Sequence, residues 1–345
     1  MPDLLADHTT LRLGGPAARF ETATTETRLV ELVTAADVAG EPLLVLGGGS
    51  NLVVADDGFP GTVVKVATTG VAADVEGGAD GGDPACGGVL VTVAAGEPWD
   101  AFVGTAVARG WVGIEALSGI PGSVGATPIQ NVGAYGQEVS QTVASVRVWD
   151  RTLREVRTFA NADCGFGYRH SRFKADPGRH VVLTVTFQLA QGDLGAPVGY
   201  AELARTLGIE AGQRAPLDDV REAVLGLRRG KGMVLDAGDH DTWSAGSFFT
   251  NPVVAPDAVP DGAPAWPTDD GVKTSAAWLI EHAGFGKGHG SGTVALSGKH
   301  TLALTNRGGA TTAELLDLAR EVRDGVAARF GIRLVNEPVL VGCEL

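Results

Sequence analysis

The chain has 345 residues, of which 44% are hydrophobic and 20% charged, a composition typical of a globular protein with two or three domains. Its formal net charge of −14 disfavours nucleic acid as a partner, because an acidic surface repels a phosphate backbone. Three scattered cysteines form neither a disulfide framework nor a metal-binding CxxC site, and the N-terminus carries acids where a signal peptide would be positive. Since no apolar run approaches the ~20 residues of a membrane helix, we expect a cytoplasmic monomer without a metal, a membrane or a nucleic-acid partner.

The first half of the chain shows mixed periodicities. Apolar residues at helical spacing predict a helix over 29–36, and Pro98 marks the start of a second helix that ends at Gly110. Residues 117–138 are irregular and rich in glycine, and long irregular loops in compact domains are usually functional. An acidic, glycine-rich stretch at 74–83 is interpreted as a solvated hairpin tip within an insertion around 74–88. Strands are predicted at 43–46, 52–55, 62–66, 89–94, 144–150, 154–160 and 181–189.

Helices become more frequent after about residue 200. They are predicted at 218–229, 274–283 and 312–330, and a capping box at 311–314 opens the last one. Residues 255–271, rich in proline and acid, are expected to form a surface loop, and residues 333–341 a closing strand. The irregular order of helices and strands predicts an α+β protein with a domain boundary near 200–215.

Two segments are dense in glycine, residues 47–51 and 118–136. The first does not fit a Rossmann fingerprint, because Ser50, Asn51 and Leu52 follow Gly49 and the third glycine is missing. A P-loop is also disfavoured, since no Gly-Lys pair is followed by Ser or Thr. Consecutive backbone N–H groups in such segments can converge on a pyrophosphate, whereas the ordinary alternative is a set of tight turns without a ligand.

The two glycine segments together resemble the FAD-binding half of the UDP-N-acetylenolpyruvoylglucosamine reductase family, also called the MurB family. Four later matches follow in the family's order: Phe166-Gly167-Tyr168-Arg169, Gly246-Ser247-Phe248-Phe249-x-Asn251-Pro252, Trp278-Leu279-Ile280-Glu281 and Asn336-Glu337-Pro338. The resemblance implies a vanillyl-alcohol-oxidase/PCMH-type FAD-binding fold over residues 1–205. It also implies an α+β substrate-binding domain over residues 206–345, with the C-terminal strand returning to the active site.

The same resemblance implies non-covalent FAD and NADPH as cofactors. NADPH reduces FAD and leaves, and a small nucleotide sugar, the enolpyruvyl ether of UDP-N-acetylglucosamine, enters the same cleft. Hydride adds to the vinyl CH2 carbon and a proton to the carbon bearing the carboxylate, giving UDP-N-acetylmuramate for peptidoglycan synthesis, and with it cell-wall biogenesis, cell shape and cell division.

Three residues match the family's catalytic positions. Arg169 would stabilise the carboxylate on which charge develops, Glu337 would bind the same group, and Ser247 would donate the proton. The structural alternatives are an ion pair for Arg169, a surface carboxylate for Glu337 and a turn residue for Ser247.

The remaining matches concern binding. The residues matching cofactor-binding positions are Gly47, Gly48, Gly49, Ser50, Asn51, Ile120, Pro121, Gly122, Ser123, Val124, Gly125, Ala126, Gln130, Asn131, Gly133, Ala134, Tyr135 and Gly136. Those matching substrate-binding positions are Tyr168, Tyr200, Lys231, Asn251 and Lys287, the two lysines at the phosphates. The chain departs from some relatives at Lys299 or His300, where they carry a glutamine.

Two other functions stay open at this point. An oxidase of the same flavin fold often attaches FAD through a His or Cys in the first glycine loop, and residues 47–51 contain neither. A flavoprotein that binds a nucleotide sugar without catalysis is the second alternative, against which the joint presence of Arg169, Ser247 and Glu337 argues.

Overall fold

The computed structural model describes residues 3–75 and 88–345. The helices in this part of the chain are α1 (Glu26–Ala39), α2 (Trp99–Ala108), α3 (Arg172–Ala175), α4 (Ala201–Leu207), α5 (Leu217–Gly230), α6 (Ala276–His282) and α7 (Thr312–Phe330). The strands of its first half are β1 (Ala17–Ala23), β2 (Leu43–Leu46), β3 (Leu52–Val54), β4 (Phe59–Val66), β5 (Val71–Val75), β6 (Val89–Ala94), β7 (Trp111–Val112), β8 (Gly133–Ala134), β9 (Gln137–Glu138) and β10 (Val143–Asp150). The later strands are β11 (Glu155–Ala160), β12 (His180–Gln191), β13 (Val253–Val254), β14 (Ala265–Thr268), β15 (Gly271–Thr274), β16 (Gly290–Ser291), β17 (Val294–Leu296), β18 (Leu304–Asn306) and β19 (Val339–Val341).

The chain forms two compact units, each assembled from separate stretches. Unit 1 contains residues 1–18, 49–60 and 230–345, and unit 2 contains residues 19–48 and 61–229. The expected halves, 1–205 and 206–345, divide the chain elsewhere. Residues 206–229 belong to unit 2 because α5 packs Val220 and Val224 into a cluster with Leu203 of α4. Residues 49–60 belong to unit 1, where β3 pairs in parallel with β19.

Unit 2 is built around an antiparallel sheet in the order β11-β10-β12-β6-β5, with β7 pairing beside β12. Its alternating residues point one way into the core, so that Val89, Val91 and Val93 of β6 are fully buried. Helix α2 covers this face with Trp99 and Phe102, whose rings lie near Phe187 of β12. A parallel pair, β2 with β4, lies in a smaller sheet.

Unit 1 has its core between α6, α7 and short strands. Helix α7 begins with the predicted capping box, in which Thr311 Oγ1 accepts from Glu314 N at 3.2 Å and Glu314 Oε2 accepts from Thr311 N at 2.8 Å. It ends at Gly331, whose φ of 71° suits a residue without a side chain. Its buried stripe packs with α6 and with the fully buried Phe248 and Phe249.

Most predicted elements are confirmed, and two are wrong. Only Val339–Val341 of the predicted strand 333–341 is a strand, because the preceding residues follow an irregular path. The expected loop 255–271 contains β14, which pairs with β15 in a hairpin. All four residues of β14 are exposed, so the sequence carries no burial pattern that reveals it. The interpreted hairpin tip at 74–83 lies mostly outside the described residues. In the described part of the chain, no helix is both long and apolar enough to cross a membrane.

Candidate functional site

The two glycine segments touch in unit 2. A Cβ placed on Gly48 would lie 2.6 Å from Gly122 Cα and 3.3 Å from Ser123 N, far closer than a real side chain permits. A Cβ on Gly47 would lie 2.6 Å from Ser123 Oγ. These positions therefore need glycine because two backbones approach each other, which is the arrangement expected of a backbone cradle for an anion.

The backbone N–H groups along these segments fall into two sets. Those of Val124, Gly125 and Ala126 are used inside the protein, donating to Glu97 O at 2.9 Å, Ala95 O at 2.8 Å and Ser123 O at 3.0 Å. Those of Gly48, Gly122 and Ser123 donate no hydrogen bond to any residue in the ranges 3–75 and 88–345. The second set has donors to offer an anion, whereas the N–H groups of residues 124–126 are committed to the turn, and the cofactor contact predicted for those residues stays a prediction.

A bidentate ion pair anchors the start of the second segment. Asp100 of α2 accepts from Arg221 of α5 through both carboxylate oxygens, at 2.7 and 3.0 Å. Asp100 Oδ1 also accepts from Gly119 N at 2.6 Å, and Arg221 Nη1 donates to Ser118 Oγ at 2.9 Å. Burial acts to raise the pKa of Asp100, but the hydrogen bonds from Arg221 and from Gly119 N–H outweigh it and hold the pKa below 3.8. Two helices thus fix the backbone that leads into Ile120 and Pro121.

A second carboxylate, that of Glu115, is completely buried just before the same segment. Its Oε2 accepts from Gly113 N at 2.7 Å, and its Oε1 accepts from Ala196 N at 2.6 Å and Gln137 Nε2 at 2.9 Å. A buried carboxylate with three donors is satisfied, and removing it would leave those donors unpaired. Glu115 therefore ties three loops together, and sequence reasoning missed it. The available signal was an acid inside the apolar run 111–117.

Tyr135 and Gly136 form the two-residue turn of the β8–β9 hairpin, in which Ala134 pairs with Gln137. Their φ values are 50° and 86°, as a type I′ turn requires at both central positions. A tyrosine at positive φ is uncommon and costs conformational energy, a feature often found at functional sites. The Tyr135 ring meets that of Tyr200 edge-on, with centroids 5.4 Å apart.

The Asn131 side chain serves the fold. Its Nδ2 donates to Glu138 Oε2 at 2.8 Å and to Gly167 O at 3.1 Å, and its Oδ1 accepts from Ser140 N at 3.1 Å. The whole residue is 1% exposed, so the cofactor contact predicted for Asn131 stays a prediction.

Tyr168 and Arg169 occupy the tip of a tight turn closed by two hydrogen bonds between Gly167 and His170, each 3.1 Å long. Arg169 has a φ of 50° and its Nη2 donates to Gly133 O at 3.4 Å. Lys174 Nζ donates to Arg169 O at 3.1 Å and to Gln130 Oε1 at 3.3 Å. Unit 2 thus brings Arg169 against the second glycine segment.

In unit 1, Ser247 and Glu337 lie on two paired segments. Glu337 N donates to Phe248 O at 2.8 Å, Phe249 forms an antiparallel bridge with Asn336, and Thr250 N donates to Val335 O at 3.0 Å. Phe248 and Phe249 anchor one segment, each only 1% exposed. Phe248, whose carbonyl accepts from Glu337 N, directly follows Ser247 in the sequence. The pairing therefore holds the backbone of the predicted proton donor close to that of Glu337.

The end of the first glycine segment reaches the same place within unit 1. Asn51 Nδ2 donates to Glu337 O at 3.4 Å, and Asn51 O accepts from Val339 N at 3.0 Å. Gly49 lies so close to His8 that a Cβ would be 1.9 Å from His8 O. Asn51 therefore positions the Glu337 backbone, a contact that the sequence did not reveal.

The Ser247 hydroxyl is half-buried and makes no hydrogen bond within residues 3–75 and 88–345. Gly246 before it has a φ of 71°. Asn251 is partly committed, since its Oδ1 accepts from Ala276 N at 2.9 Å and so binds the first turn of α6. Ser247 Oγ is thus one polar atom of this segment that is available to a ligand, and Asn251 Nδ2 is another.

The predicted lysines differ in setting. Lys231 is half-buried directly after α5, and Lys287 is exposed. Lys299 donates its Nζ to Asp239 Oδ2, and this hydrogen bond raises the pKa of Lys299. Lys299, one of the two residues predicted at the position of the family glutamine, is thus committed to an ion pair with Asp239.

Comparison with known proteins supports both the predicted FAD-binding part and the predicted substrate-binding part of the chain. Residues 17–158 match the family model of an FAD binding domain, and residues 238–341 match that of the UDP-N-acetylenolpyruvoylglucosamine reductase C-terminal domain. The UDP-N-acetylenolpyruvoylglucosamine reductase of Cutibacterium acnes is 58% identical over 99% of this chain and 90% of its own length. That of Streptomyces avermitilis is 57% identical over 99% of this chain and 94% of its own length.

A solved structure extends the agreement to the fold. The crystal structure of UDP-N-acetylenolpyruvylglucosamine reductase from Thermus caldophilus matches with a TM-score of 0.66 and 26% identity, covering 99% of this chain and 98% of its own. Together with the FAD-domain match, it confirms the predicted α+β FAD-binding fold.

Proposed function

Because this chain belongs to the UDP-N-acetylenolpyruvoylglucosamine reductase family, we propose that it reduces UDP-N-acetylglucosamine enolpyruvate to UDP-N-acetylmuramate with FAD and NADPH. The reaction supplies a precursor of peptidoglycan. The observation that carries the proposal is the pairing of the Ser247 segment with Asn336 and Glu337, which gathers a hydroxyl donor and a carboxyl group on one short structure.

The cradle of unit 2 fits the pyrophosphate of FAD. Gly48 and Gly122 bring two backbones into contact, and the N–H groups of Gly48, Gly122 and Ser123 are available as donors among the described residues. Residues 47–51 contain no His or Cys for a covalent link, so we expect FAD to be held without one. When bound, FAD accepts hydride from NADPH and supplies it to the vinyl carbon of the substrate.

The chain's own residues handle the charge and the proton. Hydride addition pushes electrons toward the substrate carboxylate, and a guanidinium suits that planar group because it can donate two parallel hydrogen bonds. We assign this task to Arg169, with Glu337 hydrogen-bonding the same group through a proton that the two share. Ser247 Oγ donates the proton to the carbon beside the carboxylate, and its freedom from internal hydrogen bonds among the described residues suits a group that must meet a ligand.

The substrate assignments remain proposals supported by position in the sequence motifs and by exposure. Tyr168 and Tyr200 present rings that are 42% and 44% exposed, which suits contact with a sugar or base. Lys231 and Lys287 supply positive charge for the phosphates, and the free amide nitrogen of Asn251 can donate.

We also propose a cytoplasmic monomer whose partner is the nucleotide sugar and not a nucleic acid or a membrane. The net charge of −14 supports the exclusion of nucleic acid. Cys164 and Cys343 are both free thiols, which suits a reducing compartment. Through its product the protein would serve cell shape, cell division and the cell cycle.

A two-step spectroscopic experiment tests the function. The purified protein should be yellow, release its FAD on acid precipitation, and bleach when NADPH is added without oxygen. Adding UDP-N-acetylglucosamine enolpyruvate should restore the flavin spectrum and yield UDP-N-acetylmuramate. A colourless protein that takes up no FAD contradicts the proposal, and reoxidation by oxygen but not by this substrate would instead identify an oxidase.

A further inference from the structure

A surface pocket of about 380 Å³ lies on unit 2, and none of the residues assigned above is among those that line it. Its lining comes from β11, α3 and the start of β12, and it includes three arginines, Arg157, Arg172 and Arg179. In a chain with a net charge of −14, three clustered guanidinium groups require an explanation.

One of the three arginines is accounted for by the fold. Arg179 donates to Asp150 from Nε at 3.1 Å and from Nη2 at 2.9 Å, and from Nη1 to Asp176 at 3.3 Å. Asp150 is completely buried, which acts to raise its pKa, but the hydrogen bonds from Arg179 and from Leu153 N lower that pKa to about 2. Asp150 is therefore charged at neutral pH, and both Asp150 and Asp176 are occupied by Arg179.

The other two arginines are held by an aromatic ring and by little else. The guanidinium carbons of Arg157 and Arg172 lie 5.1 and 4.5 Å from the centroid of the Phe159 ring. Arg157 comes no closer than 3.8 Å to Asp150 Oδ2, which is beyond hydrogen-bond distance. Neither side chain donates a hydrogen bond to another residue within 3–75 and 88–345, although each carries five N–H donors.

A further polar group at the pocket is also unsatisfied. The imidazole of His180 borders the pocket with only 4% of its side chain exposed, and its Nδ1 has no partner among the described residues. The three arginines outnumber the two carboxylates, Asp150 and Asp176, so the cluster keeps one net positive charge at neutral pH.

We propose that this pocket binds a compact dianion, either phosphate or the phosphoryl group of a phosphate monoester, through Arg157 and Arg172. Planar guanidinium groups match phosphate oxygens with paired hydrogen bonds, and stacking on Phe159 orients both groups before the ligand arrives. The pocket of about 380 Å³ has room for phosphate together with a small organic group. This site is independent of the proposed reductase chemistry.

The test uses the FAD-loaded protein with inorganic phosphate and with glycerol 3-phosphate as probes, at constant ionic strength set with chloride. Isothermal titration gives the affinities, and hydrogen–deuterium exchange locates the site. Binding should protect backbone amides within residues 155–160 and 172–182. A tighter complex with glycerol 3-phosphate assigns a monoester ligand, and equal affinities assign free phosphate.

Three variants sharpen the result. Arg157→Gln and Arg172→Gln should each weaken binding at least about tenfold, because each removes charge-assisted hydrogen bonds. Arg214→Gln, an exposed arginine of the same unit that removes the same charge, should bind like the wild type. If a variant fails to fold, hydrogen–deuterium exchange of the wild-type protein with phosphate still tests the proposal. The proposal is overturned by an absence of phosphate binding, by protection confined to other segments, or by equal affinity in all three variants.

Discussion

The second glycine segment in unit 2 and the Ser247 segment in unit 1 are held by different forces. The first is fixed by buried or half-buried carboxylates, Glu115 and Asp100, which accept hydrogen bonds from the backbone of the surrounding loops. The second is fixed by backbone pairing with residues 335–337 and by the buried rings of Phe248 and Phe249. No side-chain hydrogen bond within the described residues restrains the Ser247 hydroxyl itself.

This difference matches what each segment is proposed to do. A cradle for a cofactor that stays bound gains from rigid N–H groups, whose preorganisation lowers the cost of binding. A proton donor needs a precisely placed backbone but a hydroxyl free to meet the ligand. We therefore expect substitutions in the second glycine segment to change flavin affinity and those in the Ser247 segment to change steps that involve the substrate.

The largest expected effect follows from Ser247→Ala. General acid catalysis is typically worth about 10²–10⁴-fold, so pre-reduced enzyme should form UDP-N-acetylmuramate more slowly by about that factor. Flavin reduction by NADPH needs no proton donor to the substrate and should stay near the wild-type rate. Anaerobic stopped-flow measurements with product quantification separate the two steps.

The control for that variant is Ser291→Ala, an exposed serine of β16 in the same unit. It should leave both half-reactions unchanged. Product formation at the wild-type rate in Ser247→Ala would make Ser247 a turn residue, and an equal loss of flavin reduction would show damage to the site instead.

A single methyl group should break the cradle of unit 2. In Gly48→Ala the new Cβ would meet Gly122 Cα at 2.6 Å, so the two backbones must separate. Overpacking of this kind costs about 1–3 kcal/mol, which corresponds to roughly a ten- to hundredfold loss of FAD affinity. Fluorescence titration of the apoprotein measures it. Gly192→Ala is the matched control, because nothing lies within 4 Å of its Cβ position, and the two variants must differ if the cradle binds FAD.

A smaller effect is expected for Lys231→Ala. A contact to a phosphate that does not change during the reaction stabilises ground state and transition state alike, so KM should rise about tenfold while kcat stays near wild type. Flavin affinity should not change, which distinguishes this unit 1 residue from Gly48. Arg333→Ala removes an exposed charge of the same sign in unit 1 and should alter neither constant. A fall in kcat with unchanged KM would contradict the assignment.

The smallest expected effect is on the stability of the folded protein at acid pH, through Asp100. The pKa of Asp100 is held below 3.8 in the folded protein, so its contribution to stability is complete above about that pH and is lost as pH falls through the lower folded value. A half-exposed ion pair is worth about 1 kcal/mol or less. Urea unfolding should therefore show Asp100→Asn slightly less stable than wild type at pH 6, with the gap closing below about pH 4. A gap that is constant from pH 6 to pH 2.5 would show that the charge of Asp100 does not anchor this segment.

The sequence predicted what depends on local pattern. Helix α7 carried a capping box at its start, a buried stripe and a glycine at its end, and all three are present. The two glycine segments were recognised because close backbone approach excludes side chains, and Gly48 and Gly122 show that approach. The motifs around Arg169, Ser247 and Glu337 were likewise recognised as short contiguous sequence matches.

What the sequence could not show depends on partners distant along the chain. The sequence gives no sign that Glu115 accepts hydrogen bonds from residues 113, 137 and 196, because the fold alone brings these donors together. The ion pair of Asp100 with Arg221 joins residues 121 positions apart. Strand β14 is exposed along its whole length and has no alternating burial, so only its backbone pairing with β15 defines it.

The parallel pairing of β3 with β19 sets an order on biosynthesis. Asn51, at the edge of this pair, finds Glu337 after 286 further residues have been added. At a translation rate of about 5–20 residues per second, Asn51 at the end of the first glycine segment waits roughly 14–60 seconds on the ribosome without Glu337. Unit 1 therefore cannot close cotranslationally around its N-terminal pieces, whereas the large sheet of unit 2, complete by β12, can fold first and wait for it.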